Sequence, residues 1–230
     1  MKNKYIISTI KPWNIENAKK LVSENSDTII TLIEEKRDFN FKNVTKIKPR
    51  FIFLPHWSWV IPREIYDNFE CIIFHMTDLP FGRGGTPLQN LIERSFSKTK
   101  ISAIRAVKKI DAGPIYLKKN LSLKGSAEEI YKRASKIIFN EMIPYIIKKE
   151  PKPKPQKGKI FTFIRRKPKD SALPIKADLN SAYNYIRMLD AKDYPHAFIE
   201  TQRLRIEFTN AVKKRNCIEA KVCIKPMEKE

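Results

Sequence analysis

His75 is the residue whose place in the sequence most directly suggests chemistry. It follows a short apolar run, Cys71–Phe74, which is typical of a buried parallel strand. A loop rich in glycine and proline comes next and contains Arg83, and Thr86 and Pro87 then provide the N-cap and first residue of a predicted helix. Because ligands of open α/β sheets bind at the carboxyl ends of strands, we expect His75 to face a ligand site, where an imidazole can transfer protons near neutral pH.

The elements that must position this loop predict an α/β fold. The chain opens with strand, helix and strand, which predicts a parallel sheet, and no G-x-G-x-x-G motif follows the first strand to indicate a dinucleotide site. If the strands before His56 and His75 are parallel neighbours, both histidines emerge at the same edge of the sheet. Residues 34–49 are charged and are predicted to be irregular. The predicted strands are 4–10, 27–33, 51–54, 71–74, 101–107 and 115–123, and the predicted helices are 14–24, 63–69, 87–96 and 126–149.

The composition limits the class of protein. The 230 residues are 42% hydrophobic, which is enough to bury a core and excludes a disordered chain. The net charge of +21 allows two interpretations: a nucleic-acid or membrane-surface binder, or a lysine-rich chain with small anionic partners. The lysines are dispersed, which favours the second. Three widely spaced cysteines predict a reducing cytoplasm and no C-x-x-C metal site, and no signal peptide or membrane span is expected.

Residues 148–159, K-K-E-P-K-P-K-P-Q-K-G-K, are a linker by composition, because alternating lysine and proline cannot form a helix or a central strand. They predict a boundary between a catalytic core, 1–150, and a small appendage, 151–230. The appendage is predicted to contain a strand at 160–166, a helix at 178–190 and an antiparallel set at 197–200, 204–208 and 218–224.

The loop after His75 resembles the signature H-x-S-L-L-P-x-x-R-G-x-x-P-I-Q of the folate-dependent formyltransferases. The matching residues are His75, Thr77, Leu79, Pro80, Arg83, Gly84, Pro87 and Gln89. A second stretch, 108–116, resembles the family motif M-D-x-x-x-D-x-G-x-I, in which the second aspartate is catalytic and corresponds to Asp111. An Asp-Ala-Gly sequence alone is a common turn, and it is informative here because of its distance from His75. The resemblance covers roughly residues 50–200.

The resemblance implies a Rossmann-like formyltransferase core, with a mostly parallel twisted sheet flanked by helices and a small α+β C-terminal appendage. It also implies 10-formyltetrahydrofolate as co-substrate, with His75 moving the proton and Asp111 orienting the imidazole. The predicted folate contacts are Trp59, Val60, Ile61, Ala106 and Val107. The predicted substrate contacts are Arg83, Thr77, Tyr183 and Tyr185. Arg83 is expected to hold phosphate or to assist charge, and one of the tyrosines to stack on a base, although a packed helix face explains the two tyrosines equally well.

The sequence departs from the family at Ile73, where the family usually has an asparagine that helps to stabilise the oxyanion. Isoleucine donates no hydrogen bond, and loss of one oxyanion donor costs on the order of a hundredfold in rate. We expect His56 to replace that donor as a third catalytic residue. Ser58 and Thr77 are weaker candidates.

The short tail predicts the acceptor. It is shorter than the C-terminal barrel of the tRNA enzymes, and the glycine-rich start of the glycinamide ribonucleotide enzymes is absent. The prediction is therefore formyl transfer to a UDP- or dTDP-linked amino-deoxysugar in surface-glycan biosynthesis, with nucleic acid an unlikely partner, no membrane partner and a possible homodimer. Two alternatives remain: a methionyl-tRNA formyltransferase-like enzyme, and a degenerate, non-catalytic member that binds nucleic acid.

Overall fold

The computed structural model describes residues 3–25, 27–174 and 176–227, and these form two compact units. The first unit contains the described residues up to Gly84, together with Thr99–Leu121 and Lys132–Thr162. The second contains Gly85–Lys98, Ser122–Tyr131 and the described residues from Phe163 onward. In this part of the chain no helix is both long and apolar enough to span a bilayer.

The strands and helices alternate through most of the chain. The strands are β1 (Lys4–Ser8), β2 (Ile29–Ile33), β3 (Phe51–Leu54), β4 (Cys71–His75), β5 (Phe81–Gly84), β6 (Lys98–Arg105), β7 (Ile115–Ser122), β8 (Phe161–Phe163), β9 (Ala197–Glu200), β10 (Leu204–Lys213) and β11 (Ile218–Pro226). The helices are α1 (Pro12–Glu24), α2 (Phe41–Ile47), α3 (Arg63–Asn68), α4 (Pro87–Glu93), α5 (Ala127–Ile137), α6 (Ile143–Lys149) and α7 (Leu179–Leu189), and a π-helical turn, Ile138–Met142, joins α5 to α6.

The main sheet has six strands in the order β2-β1-β3-β4-β6-β7. Strand β1 pairs in parallel with β2 and β3, β3 pairs in parallel with β4, and β6 runs antiparallel to β4. The central strand β3 is buried along its whole length, which explains its unbroken apolar sequence, because a strand covered on both faces has no solvent side. The predicted α/β class with a mostly parallel sheet is confirmed.

Helix α2 corrects the prediction that residues 34–49 are irregular. The side chain of Asn40 caps this helix by accepting a hydrogen bond from the Asn43 amide at 3.0 Å. Val44 is fully buried, and Phe41 and Ile47 pack against the same hydrophobic cluster. The three apolar residues recur every third position, so burial of one helix face outweighs the surrounding charge.

The second unit contains α4, α7 and an antiparallel sheet of β9, β10 and β11. Gln89 of α4 donates to the Tyr131 hydroxyl and to the Met188 carbonyl, both at 3.1 Å, so its amide ties α4 to the end of α7. The sheet of β9, β10 and β11 is the predicted C-terminal antiparallel set, and β10 and β11 are longer than predicted.

Candidate active site

His75 ends β4, and its side chain is almost completely buried in the first unit. Its Nε2 lies 2.7 Å from the carbonyl oxygen of Gly82. A carbonyl oxygen only accepts hydrogen bonds, so in this orientation Nε2 carries a proton and donates it. The other ring nitrogen, Nδ1, is left to interact with a different partner.

That partner is Asp111, whose Oδ2 lies 3.5 Å from Nδ1 of His75 and also accepts a hydrogen bond of 2.9 Å from the Gly84 amide. When the ring is neutral and Nε2 is protonated, Nδ1 presents a lone pair to the carboxylate, and the two acceptors gain nothing from each other. A proton on Nδ1 makes the contact favourable. The pair is therefore arranged to hold a proton that arrives at Nδ1.

The Asp-Ala-Gly turn has a steric reason for its sequence. Asp111 has a φ of 52°, a left-handed conformation that aspartate tolerates better than most residues. A Cβ on Gly113 would lie 1.7 Å from the carbonyl oxygen of Arg105, so only glycine fits there. The glycine lets the turn pack against β6 and brings the carboxylate to His75.

The loop between β4 and β5 is held by buried side chains. Thr77 is fully buried, and its hydroxyl donates to the Gly82 carbonyl at 3.3 Å. The Ser102 hydroxyl of β6 donates to the Thr77 carbonyl at 2.7 Å. Thr77 therefore holds the loop internally, and the substrate contact predicted for it stays a prediction.

An ionic contact fixes the same loop at Asp78. Its carboxylate lies 2.5 Å from the Lys118 ammonium and 3.0 Å from that of Lys100, and these lysines belong to β7 and β6. Desolvation of the carboxyl opposes ionisation, but the hydrogen bonds from Lys118 and Lys100 outweigh it and lower the pKa of Asp78 below its ordinary value.

Gln156 was missed by the sequence analysis. Its Oε1 accepts two hydrogen bonds from Arg83, at 3.1 Å from Nε and 2.7 Å from Nη2, and its Nε2 donates to the carbonyls of Asp111 and Gly113, at 2.8 and 2.9 Å. The Lys/Pro segment 148–159 is thus hydrogen bonded at the site rather than being a simple linker. The one available signal was that Gln156 is the single amide side chain in a run of lysine and proline.

Arg83 is 8% exposed, and its Nε and Nη2 are both bonded to Gln156. Among the residues that the structure describes, its Nη1 makes no hydrogen bond. Nη1 is therefore the guanidinium nitrogen that remains for the phosphate contact predicted for Arg83.

The segments predicted to contact folate meet in one hydrophobic cluster. Ile61 and Ala106 are buried members of it, whereas their neighbours Val60 and Val107 are 87% and 38% exposed. Trp57 packs against the same cluster, and its indole Nε1 is buried with no hydrogen-bond partner among the described residues. A buried donor without a partner is rare in proteins, and an ordered water or a bound polar group would satisfy it.

Trp59, the remaining residue predicted to contact folate, is partly buried. Its ring meets the Trp57 ring edge to face, with the centroids 4.9 Å apart, and the Lys36 ammonium lies 5.3 Å from its ring centroid. A cation is therefore held against the outer part of this aromatic pair.

Ile73 stands where the family usually has an asparagine, and His56 is the residue predicted to replace that hydrogen-bond donor. Ile73 lies two residues before His75 on β4, so the two side chains share a face, and Ile73 packs against the cluster of Ile61 and Ala106. His56 follows β3 with a φ of 56°, a strained conformation for a non-glycine residue. Burial, together with the Lys11 ammonium, lowers the pKa of His56 to about 4, so its ring is neutral at pH 7.

Tyr183 and Tyr185 lie on α7, in the second unit. The Tyr185 hydroxyl donates to Glu93 at 2.9 Å. Tyr183 lies beneath the Arg187 guanidinium, 5.6 Å from its ring centroid, and borders an open cavity of about 330 Å³. The other predicted residues belong to the first unit, where His75, Asp111, Thr77 and Arg83 are linked through β5.

The chain is similar to known formyltransferases. Residues 168–225 match a family model described as the C-terminal domain of methionyl-tRNA formyltransferase. A solved structure titled methionyl-tRNA formyltransferase from Clostridium thermocellum has 51% sequence identity and a TM-score of 0.96, with 99% of this chain and 100% of that chain covered. The curated methionyl-tRNA formyltransferase of Thermodesulfovibrio yellowstonii is 26% identical over 182 residues, which are 75% of this chain and 59% of that protein. The chain thus spans about three fifths of the length of this relative and of the methionyl-tRNA formyltransferase of Mesoplasma florum.

A sugar N-formyltransferase from Shewanella has a TM-score of 0.69 but only 17% identity, with 88% of this chain and 94% of that chain covered, and this likeness concerns the fold alone. The predicted nucleotide-linked amino sugar is therefore wrong as the acceptor, because the relatives with higher identity carry the tRNA enzyme's name. The prediction that nucleic acid is an unlikely partner is wrong for the same reason. Tail length was misleading, since the tail matches that enzyme's C-terminal domain.

Proposed function

The chain belongs to the formyltransferase family, and we propose that it transfers the formyl group of 10-formyltetrahydrofolate to the amino group of methionyl-tRNA. The observation that carries the proposal is the His75–Asp111 pair, 3.5 Å apart, in a chain that is 51% identical over 99% of its length to a structure titled methionyl-tRNA formyltransferase. The proposed localisation is the cytoplasm.

The proposed chemistry is nucleophilic attack of a neutral amine on a formyl carbon. The nitrogen–carbon bond to the acceptor forms, the bond to the departing nitrogen breaks, and one proton passes from the attacking nitrogen to the departing one. His75 accepts that proton at Nδ1, where the Asp111 carboxylate stabilises it, and then releases it to the departing nitrogen. Gly84 holds the carboxylate in place during both transfers.

The folate donor, when bound, supplies the activated formyl group. The residues proposed to hold it are Trp59, Val60, Ile61, Ala106 and Val107. Support comes from the buried Nε1 of Trp57, which has no hydrogen-bond partner in the described part of the chain, and from the exposed valine side chains beside the buried Ile61 and Ala106. The Ala106 amide is already bonded to the Cys71 carbonyl at 2.8 Å, so this residue would contribute its methyl group and its carbonyl.

His56 is proposed to replace the oxyanion donor that Ile73 lacks. A neutral imidazole has one N–H to donate, and the depressed pKa of His56 keeps the ring neutral at physiological pH. The strained backbone at this residue supports a functional role, since strain of this kind persists where the surroundings fix a side chain.

The acceptor is proposed to bind through its phosphates. The net charge of +21 suits a polyanion, and lysines of the segment 148–159 are exposed beside Gln156. Nη1 of Arg83 and the hydroxyl of Thr77 are proposed contacts at the reacting end. In the second unit, the ring of Tyr183 is proposed to stack on an unpaired base, whereas Tyr185 holds Glu93.

The direct test is turnover of methionyl-tRNA with 10-formyltetrahydrofolate, measured by mass spectrometry of the amino acid after deacylation. We expect formylmethionine from the wild-type protein and a loss of at least a hundredfold in kcat for His75→Gln. The matched control is His196→Gln, a histidine of the second unit, with kcat within twofold of wild type. No formylmethionine above the uncatalysed background would overturn the proposal, and salt-sensitive tRNA binding without turnover would identify a non-catalytic member.

A further inference from the structure

We infer that Gln156 is a positioning residue for the proposed formyl transfer, because its carboxamide joins the two loops that hold His75 and Asp111. The inference rests on the proposed function and extends it to a residue of the Lys/Pro segment. All of the groups involved belong to the first unit.

The amide nitrogen of Gln156 acts on the Asp111 turn. It donates to the carbonyls of Asp111 and Gly113, at 2.8 and 2.9 Å, and so spans the turn from one side. The turn is strained at Asp111, and a strained backbone keeps its conformation only where its surroundings hold it. Loss of these two bonds would let the turn relax and would move the Asp111 carboxylate relative to Nδ1.

The amide oxygen of Gln156 acts on β5 through Arg83. Arg83 lies between Gly82, whose carbonyl accepts from His75, and Gly84, whose amide donates to Asp111. The flanking glycines have φ values of 76° and 94° and give the backbone little stiffness of its own. The guanidinium, held by two bonds to Gln156, therefore fixes the strand that orients both members of the pair.

The Lys/Pro segment has other anchors, so the role of Gln156 can be separated from folding. Lys154 and Ile115 exchange two backbone hydrogen bonds, of 2.7 and 2.8 Å. Further on, the Phe161 ring stacks on that of Phe81 with the centroids 5.2 Å apart. Removal of one carboxamide leaves these contacts in place.

Two variants distinguish the hydrogen bonds that the carboxamide makes to Arg83 from those that it makes to the Asp111 turn. Gln156→Met is similar in length and removes every hydrogen bond, whereas Gln156→Glu keeps an acceptor for Arg83 and loses both donations to the turn. We expect kcat to fall at least tenfold in both, with less than a threefold change in KM for either substrate. The matched control, Gln202→Met, changes an exposed residue of the second unit and should leave kcat within twofold of wild type.

The second readout is the pair of ring ¹⁵N chemical shifts of His75, which report which nitrogen carries the proton. We expect them to change in both variants, because Gln156→Met releases Arg83 and the Asp111 turn, and Gln156→Glu releases the turn alone. A merely structural role would lower the melting temperature without changing these shifts. The resonances are assigned by comparison with His75→Gln.

Wild-type kcat and wild-type ring shifts in Gln156→Met would overturn the inference, whatever its melting temperature. If that variant does not fold, Gln156→Glu decides, and a kcat within twofold of wild type would overturn it. An inactive wild-type protein would instead overturn the proposed function. The ring shifts would then still show whether Gln156 positions His75.

Discussion

The His75 site and the sheet of β9, β10 and β11 use polar groups in opposite ways. Around His75, the side chains bond mainly to main-chain atoms, such as the Gly82 carbonyl and the Gly84 amide. In the C-terminal sheet, Glu207 bonds to two other side chains, those of Arg205 and Lys225. The first arrangement depends on where the backbone lies, whereas the second can adjust by rotating side chains.

The two regions also differ in what they bury. Strand β3 of the first unit is buried on both faces. In the C-terminal sheet, the pairing register aligns Ile199, Ile206 and Ile224 across the three strands, yet Ile199 and Ile224 are 43% and 62% exposed. Substitutions at the first unit's site and core should therefore have large effects, and equivalent substitutions in the C-terminal sheet small ones.

The largest expected effect is on catalysis, through Asp111→Asn. The amide can still accept a bond from Gly84, but it places no negative charge beside Nδ1, so the protonated ring is no longer stabilised. We expect kcat to fall about 10²- to 10⁴-fold. The matched control is Asp190→Asn, since Asp190 also accepts a backbone bond, from Asn210 at 2.8 Å. Equal losses in both variants would contradict the contrast between the two units.

The next effect is on stability, and it compares one chemical change at two places. Ile52→Ala empties a fully buried position of β3 and should lower the free energy of unfolding by about 2–5 kcal/mol. Ile224→Ala removes a largely exposed side chain and should change it by about 0.5 kcal/mol or less. Chemical denaturation measures both. A cost for Ile224→Ala near that of Ile52→Ala would show that its face is covered in solution.

The smallest expected effect is on the pH dependence of stability, through His56. Its pKa is about 4 in the folded protein and about 6.5 when unfolded, so the unfolded state binds more protons between these values. The contribution of His56 to stability is complete above pH 6.5 and is lost as the pH falls towards 4. His56→Gln should flatten the stability curve in this window, and His196→Gln controls for removal of one imidazole. An unchanged slope in His56→Gln would show that the ring has the same pKa in the folded and unfolded states.

Local sequence patterns were sufficient for the strands of the main sheet, whereas the Asp111 turn was recognised because of its distance from the His75 loop and its match to a family motif. Strand β3 is a continuous apolar run, and the Asp-Ala-Gly turn needs its glycine because the Arg105 carbonyl lies against it. The signal for β3 lies within the strand that it predicts. Helix α2 was missed because its three apolar residues are separated by charges, and its burial depends on the cluster it meets.

The role of Gln156 was beyond sequence analysis for a different reason. Its carboxamide bonds to Arg83, 73 positions earlier in the chain, and to the Asp111 turn, 45 positions earlier. Contacts of this kind leave no periodic pattern, because a single side chain meets backbone that the fold brings to it. The acceptor was mispredicted because tail length alone says little about which domain the tail forms.

The prolines of the Lys/Pro segment also determine which backbone hydrogen bonds are available on the side of the segment that faces away from Ile115. In an extended chain, successive N–H groups point to opposite sides, and that of Lys154 points towards Ile115. The residues on either side are Pro153 and Pro155, which have no N–H to donate. The outer margin of this chain therefore offers no hydrogen-bond donor beside Lys154, so a further strand has little to pair with there. A long basic stretch next to the proposed catalytic pair is in this way protected against edge-to-edge aggregation.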